Sequence, residues 1–577
     1  MKKKLLPALI VTGLIILVVI IMGITALINK YTPTKKTEDL KEYFNISSDD
    51  EAALIVDNEL SDYKAKIIDK KIYVDYKFVH DSLNSRFYWD ANENVLLYTT
   101  ASDIISAAAD SNSYSVTKQT NDFGYPIVKA TSDSALIALD YVKQYSNITF
   151  KSYDDPARIV ITSKWDEIDS ATVSKSTQVR VKGGIKSPIL KEVKKDDKIT
   201  ILDSGDKWDK VATEDGVIGY IKRKALSESK KTKLTNPDYE EETFTHIKKD
   251  KDICLAWNQV TSQSANNKVP QVISSTKGIN VMSPTWFYLN DNNGNLADIA
   301  SKDYVSYCHS QGIEVWGLFS NFENTDVDAA YVLTHTSTRT TLINQIMSAA
   351  FNYELDGVNI DFENITEAAY GDSYIEFIRE LAIKCHNNGI SLSVDVTVPA
   401  SFNKFFNRSD MANFADYIVI MGYDEHYKGS DAGSVSSIPW VTEGVESTLK
   451  EVPADQIILG MPFYTRIWEL TPKEDDDAVT DTEDQSKYTV ASQVYSMDAA
   501  AAQLATNNAT AALDEESGQN YAEWSVSNKL YKVWLEDTTS LEKRLKLVDD
   551  NKLAGAAFWK LGFENSSVWD TVIKYLN

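Results

Sequence analysis

Cysteine, histidine and proline are scarce in this 577-residue chain, at 3, 6 and 13 residues. Three cysteines, Cys254, Cys308 and Cys385, are odd in number and confined to the second half. They exclude a disulfide framework and are expected to be buried free thiols. The six histidines never fall in a His-x-x-x-His or similar pair, so no metal site is expected. Positive charge is also short: 59 basic against 84 acidic residues give a net charge of −25. That balance excludes a nucleic-acid binder or a protein held to anionic lipid by charge, and it favours solubility. Charge is missing altogether from residues 5–28, a 24-residue apolar run behind Lys2, Lys3 and Lys4. It exceeds the roughly 20 residues that span a bilayer as a helix. A cleaved signal peptide is the alternative, but its apolar region is about 7–15 residues and ends at a small-x-small site. The run is read as an uncleaved anchor, residues 1–30. The lysines keep the N-terminus cytoplasmic, and the rest lies outside the cell membrane.

The length calls for three or four domains. Residues 31–47 read as a polar tether. Residues 48–165 hold a weak repeat of about 63 residues, each unit a short helix and a hairpin, such as Ala135-Leu-Ile-Ala-Leu-Asp-Tyr-Val142 followed by Arg158-Ile-Val-Ile-Thr162. This loosely resembles the small repeat domain named after the N-terminus of copper amine oxidases, without copper-binding residues, and suits a stalk. Residues 169–227 alternate like short strands, with turns at Gly183-Gly184, Asp203-Ser-Gly205 and Glu214-Asp-Gly216. Val179-Arg-Val, Gly205-x-x-Trp208 and Gly219-Tyr220 resemble the bacterial SH3 module, a small barrel that grips peptidoglycan peptides or serves as a spacer. A charged linker, 228–249, leads to residues 250–577.

There, β-branched strands alternate with amphipathic stretches, as a (β/α)8 TIM barrel requires. Strands are expected at 253–257, 280–286, 314–319, 358–363, 392–398, 417–423, 457–463 and 555–561. Helices are expected at 338–353, at 373–388 with Asp372 as cap, and from a cap at Ser540. An insertion at about 468–534, between strands seven and eight, carries the acidic run Glu474-Asp-Asp-Asp477 and Trp524. It is expected to wall a groove.

The most informative stretch is Leu355-Asp-Gly-Val-Asn-Ile-Asp-Phe-Glu-Asn364. Strand alternation sends Val358, Ile360 and Phe362 to one face and Asn359, Asp361 and Glu363 to the other. Carboxylates are costly to bury without partners, so the polar face is expected to serve a cleft. Asp361 and Glu363 lie roughly 6.6 Å apart along the strand. Strand ends also collect Trp257, Trp286, Asn321, Tyr423, Asp424, Glu425, Tyr464 and Trp559, a mixture of aromatics and carboxyls suited to a sugar.

Asp356-Gly357-x-x-x-Asp361-x-Glu363 resembles the strand-four signature of family 18 glycoside hydrolases, the chitinase-like barrels. Asn359 departs from it, since most members have Asp there. Met421-Gly-Tyr-Asp-Glu425 and Gly555-Ala-Ala-Phe-Trp559 resemble the strand-six and strand-eight motifs, and the strand-four wording is most similar to the bacterial cell-wall and spore-cortex N-acetylglucosaminidases. The resemblance implies a retaining, substrate-assisted glycosidase with no cofactor. Glu363 would be the acid, Asp361 would hold the substrate acetamido N–H, and Tyr423 would donate to the attacking acetamido oxygen. Asn359, Asp424, Trp559, Trp286, Met421, Glu425 and Tyr464 would bind substrate, a GlcNAc polysaccharide of peptidoglycan or chitin type. A chitinase and a non-catalytic lectin on the same fold are the alternatives. The neutral Asn359 is expected to let Asp361 ionise more readily, because one like charge is gone.

Overall fold

The computed structural model describes residues 2–363, 365, 370–473 and 485–576. The chain divides into two compact units. The first comprises Met1–Trp89, Ala107–Tyr114 and Thr120–Glu241. It begins with the helix Lys2–Tyr31, of which Leu9–Tyr31 is long and apolar enough to cross a membrane. A signal sequence near an N-terminus meets the same criterion.

Two seven-stranded sheets make up most of the rest. In one, Glu51–Val56 pairs in parallel with Arg158–Thr162. In the other, Thr177–Arg180, Lys198–Asp203, Trp208–Thr213 and Ile218–Lys222 take the expected places. The sequence reads as two modules here, but Ala53 and Ile55 share one apolar core with Val173, Val179 and Val211. Arg158 joins Asp215 at 2.5 Å. The expected linker is also shorter, because Lys230–Lys233 pairs antiparallel with Glu167–Thr172.

The second unit comprises Asp90–Ser106, Ser115–Gln119 and Glu242–Asn577. All eight expected strands are present: β1 (Ile253–Asn258), β2 (Val281–Leu289), β3 (Glu314–Ser320), β4 (Gly357–Asp361), β5 (Ser391–Thr397), β6 (Tyr417–Met421), β7 (Ile457–Pro462) and β8 (Gly555–Trp559). Each pairs in parallel with the next, but β1 also pairs with both β2 and β8 (Leu255 opposite Val281 and Ala557), which closes the barrel. Alternation sorts the side chains. Leu255, Trp257, Trp316, Leu318 and Val419 fill the lumen, while Val358, Ile360 and Phe362 join the layer under the helices. Gly357 is required by this packing, since a Cβ there would lie 2.5 Å from the Trp316 ring.

Strands four and six are shorter than expected, ending at Asp361 and Met421. Past Asp361 the backbone leaves the ladder, and Glu363 N–H donates to Asn321 Oδ1 at 3.0 Å. The helix before β4 is Thr336–Tyr353. The helix before β5, Gly371–His386, has Tyr370 rather than Asp372 at its cap. The helix before β8, Thr538–Asn551, is capped by Asp537, whose carboxylate accepts from Thr539 and Ser540 N–H. An acidic cap also suits the helix dipole, and the Ser540 hydroxyl is left to donate to Glu536. The insertion forms a five-stranded sheet from Tyr464–Pro472 to Lys529–Leu535. Its acidic run lies outside the described residues. The three cysteines are buried and free.

Candidate active site

At the C-terminal mouth of the barrel lies a cavity of about 570 Å3. Its lining includes Asp361, Glu363, Met421, Tyr423, Asp424, Glu425, Trp257 and Trp559. Among the described residues no lysine, arginine or histidine lines it. The Trp257 and Trp559 rings meet edge-on at 6.0 Å, and Trp257 meets Tyr423 at 6.4 Å. Aromatic walls around a few carboxyls can pack sugar C–H faces while addressing hydroxyl and amide groups.

The carboxyls sit in an acidic setting, with Asp361 buried and Glu363 exposed to the cavity. Burial, then the charges of Asp395, Glu363 and Glu323, push the Asp361 carboxyl well above its usual range. Burial, then Asp424 and Glu323, also raise Glu363. A raised carboxyl holds its proton to higher pH than a free one, the direction that suits a general acid. The Tyr423 phenol is raised by burial and by the same acids, so it stays a donor. Asp361 Oδ1 is buried without a hydrogen-bond partner among the described residues. Such an atom costs free energy until a donor reaches it.

Asp424 adopts a left-handed backbone (φ +61°), a conformation Asp tolerates better than most residues. Its Oδ1 accepts from the Tyr464 hydroxyl at 2.5 Å and faces Arg466 at 3.6 Å. Glu425 lines the cavity, but its carboxylate accepts from Ser437 N–H and Oγ at 2.7 and 2.9 Å, securing the start of the helix Ile438–Thr448.

Several expected roles are corrected. Trp286 is absent from the cavity lining. It is fully buried outside the barrel strands, where its indole N–H donates to Asn266 and its ring packs on Tyr304. Odd–even alternation along β2 turns it away from the lumen, as the lumen-facing Val281 and Ser283 show. Asn359 is fully buried and lies outside the cavity lining. Its Oδ1 accepts from Trp257 Nε1 and Ser283 Oγ, both at 2.9 Å, and its Nδ2 donates to Ser393 Oγ at 3.1 Å and Asp395 Oδ1 at 2.7 Å. It therefore acts to lower Asp395, while burial and the charges of Asp395, Glu363 and Glu323 hold Asp361 raised. Tyr464 does not line the cavity either and acts on Asp424 instead. The insertion contributes no lining residue among those described.

Sequence reasoning missed Asp395, Glu323, Phe402 and Trp440, all of which line the cavity. Asp395 was within reach, since Ser391, Ser393, Asp395 and Thr397 show the same period-two polar face that marks β4. Glu323 lies on a loop, where its carboxylate accepts from Ser320 Oγ at 2.7 Å, and no periodicity marks it.

Residues 324–564 match the family model described as Glycosyl hydrolases family 18. The chain carries a family 18 glycosyl hydrolase domain. The family is one of glycosidases, and the cavity of this domain is lined by Asp361, Glu363, Asp395 and Asp424. Among curated proteins, the chain is 23% identical over 349 residues to the uncharacterized glycosylase YvbX of Bacillus subtilis, covering 56% of this chain and 95% of that protein. It is 24% identical over 287 residues to the cortical fragment-lytic enzyme of the same organism, covering 48% of this chain and 63% of that one. Among solved structures, the spore cortex-lytic enzyme SleL of Bacillus megaterium aligns at 19% identity with a TM-score of 0.49, over 56% of this chain and 74% of that chain.

Proposed function

We propose that this protein is a surface-anchored N-acetylglucosaminidase that cuts peptidoglycan glycan strands by a substrate-assisted, retaining mechanism. The observation that carries the reading is the buried, unpartnered Asp361 Oδ1 beside the raised carboxyl of Glu363 in an aromatic-walled cavity. A sugar with a 2-acetamido group supplies the missing donor, its amide N–H. Glu363 protonates the glycosidic oxygen while the acetamido oxygen attacks the anomeric carbon. Tyr423 donates to that oxygen, and Asp361 faces the positive charge of the oxazolinium intermediate. Glu363 then takes a proton from the water that opens the ring. Preorganised groups of this kind contribute on the order of 3–4 kcal/mol each. Asp424 and Met421 shape the pocket, and Trp559 offers a ring face to the sugar.

Peptidoglycan is preferred to chitin because the matched proteins include cortical fragment-lytic enzymes. The apolar helix supports anchoring, with the SH3-like strands at 169–227 as a wall-gripping module and the 48–165 region as a stalk. Protease added to intact wall-less cells should digest the barrel while the protein remains with membranes. A mature form in the medium starting near Ile28 would show a cleaved signal instead.

The chemistry is tested with Glu363→Gln, which keeps shape but cannot give a proton. Turnover of purified peptidoglycan should fall by about 10²–10⁴ with glycan binding kept. A thiazoline analogue of GlcNAc should inhibit competitively, and glycans de-N-acetylated at the cleaved residue should bind without being cut. Rapid cleavage of such a glycan, or a covalent sugar on a carboxylate, would overturn the mechanism.

A further inference from the structure

The use of Asp395 follows from register. β4 and β5 run parallel with Asn359 opposite Ser393 and Ile360 opposite Val394. Carried one residue further, that register sets Asp361 beside Asp395, on neighbouring strands about 4.8 Å apart with both side chains turned to the lumen. Both are nearly fully buried and both line the cavity. Asp395 has a fixed donor, whereas Asp361 Oδ1 has no hydrogen-bond partner among the described residues. Asn359 Oδ1 is held by Trp257 and Ser283, so its Nδ2 must point towards Ser393 and Asp395.

We propose that Asp395 is the proton partner of Asp361: the pair holds one proton, and Asn359 keeps the negative charge on Asp395 until substrate arrives. The inference rests on the substrate-assisted reading above. In the free enzyme Asp361 carries the proton. When the acetamido N–H and the developing oxazolinium charge reach Asp361, its O–H bond breaks and a new one forms on Asp395. The pair keeps a charge of −1 throughout, and no other reactant is needed. The anion is thereby delivered to the reacting centre only when it has a cation to face.

Both carboxyls are raised, chiefly by burial, with Asn359 acting to lower Asp395. The other ionisable groups facing the pair are Glu363 beyond β4, Glu323 beyond β3, Tyr423 and Asp424 beyond β6, and Tyr374 from the helix Gly371–His386. Each is an acid or a phenol, so none supplies a positive charge that would let both carboxyls ionise together.

Asp395 is thus a positioning residue for charge, and titration separates that role from a structural one. Difference infrared spectroscopy of the full-length protein in detergent should show the pair losing its protons in two steps more than about one pH unit apart. Asp395→Asn should leave one step lying between them. The acid limb of its kcat–pH profile should move to higher pH, because Asp361 must then ionise alone, while KM changes little. Asp361→Asn is the reciprocal variant and should leave a single Asp395 step. It decides the question if Asp395→Asn does not fold. A single step in the wild type, or an Asp361 step at the same pH with and without Asp395, would overturn the proposal. The infrared readout needs no turnover, so a fully active Glu363→Gln would sink the glycosidase mechanism and leave this test standing.

Discussion

Replacing Asn359 with Asp changes one atom next to Asp395. The donor at 2.7 Å becomes an oxygen. With each charge spread over two oxygens, the carboxyl centres stand roughly 4 Å apart, and two unit charges repel by about 4 kcal/mol at an effective dielectric of about 20. That equals about 3 pH units. The new carboxyl beside Asp395 is therefore raised in the folded state and keeps its proton where a free carboxyl has lost it. A carboxyl raised in the folded state leaves stability intact below its unfolded pKa and loses it as pH rises through the folded pKa. The variant should match the wild type near pH 4 and fall behind by about 4 kcal/mol above pH 7, or roughly 6 °C for a domain of this length. Thermal transitions of the detergent-solubilised protein, followed by tryptophan fluorescence from pH 4 to 8, measure the difference. Parallel curves across that range would refute the account of Asn359 as the donor that lets Asp395 stay ionised.

Asp424→Asn removes a like charge facing Glu363. The Glu363 proton should leave at lower pH, shifting the alkaline limb of kcat/KM acidward by on the order of one unit; an unmoved limb would separate the two groups. Trp286→Ala should cost about 3–5 kcal/mol of stability, with KM unchanged in the folded fraction, because the ring lies wholly in the outer core. A raised KM would return Trp286 to the site. Gly357→Ala places a methyl against Trp316 and should destabilise by about 1–3 kcal/mol, read as a lower melting temperature.

The eight barrel strands were legible in the sequence because each is a short apolar run, most of them rich in β-branched residues, with helical periodicity between. Asp361 and Glu363 were legible because alternation put them on a face that packing alone would not keep polar. Sequence also carried the cysteines' solitude, since three scattered thiols cannot make a framework, and the span of the apolar helix, which needs only length and composition. Tertiary structure decided what alternation leaves open. The direction of Trp286 depended on which face of β2 meets the lumen, and nothing local to 280–289 states that. The partner of Asn359 lies on β5, 36 residues away, and only parallel register sets the two side by side. The same holds for the shared core of the two N-terminal sheets. A single sequence records which side chains are polar at which period, but hydrogen bonds and charges act across space between strands. Their strength is set by burial that exists only once the barrel has closed.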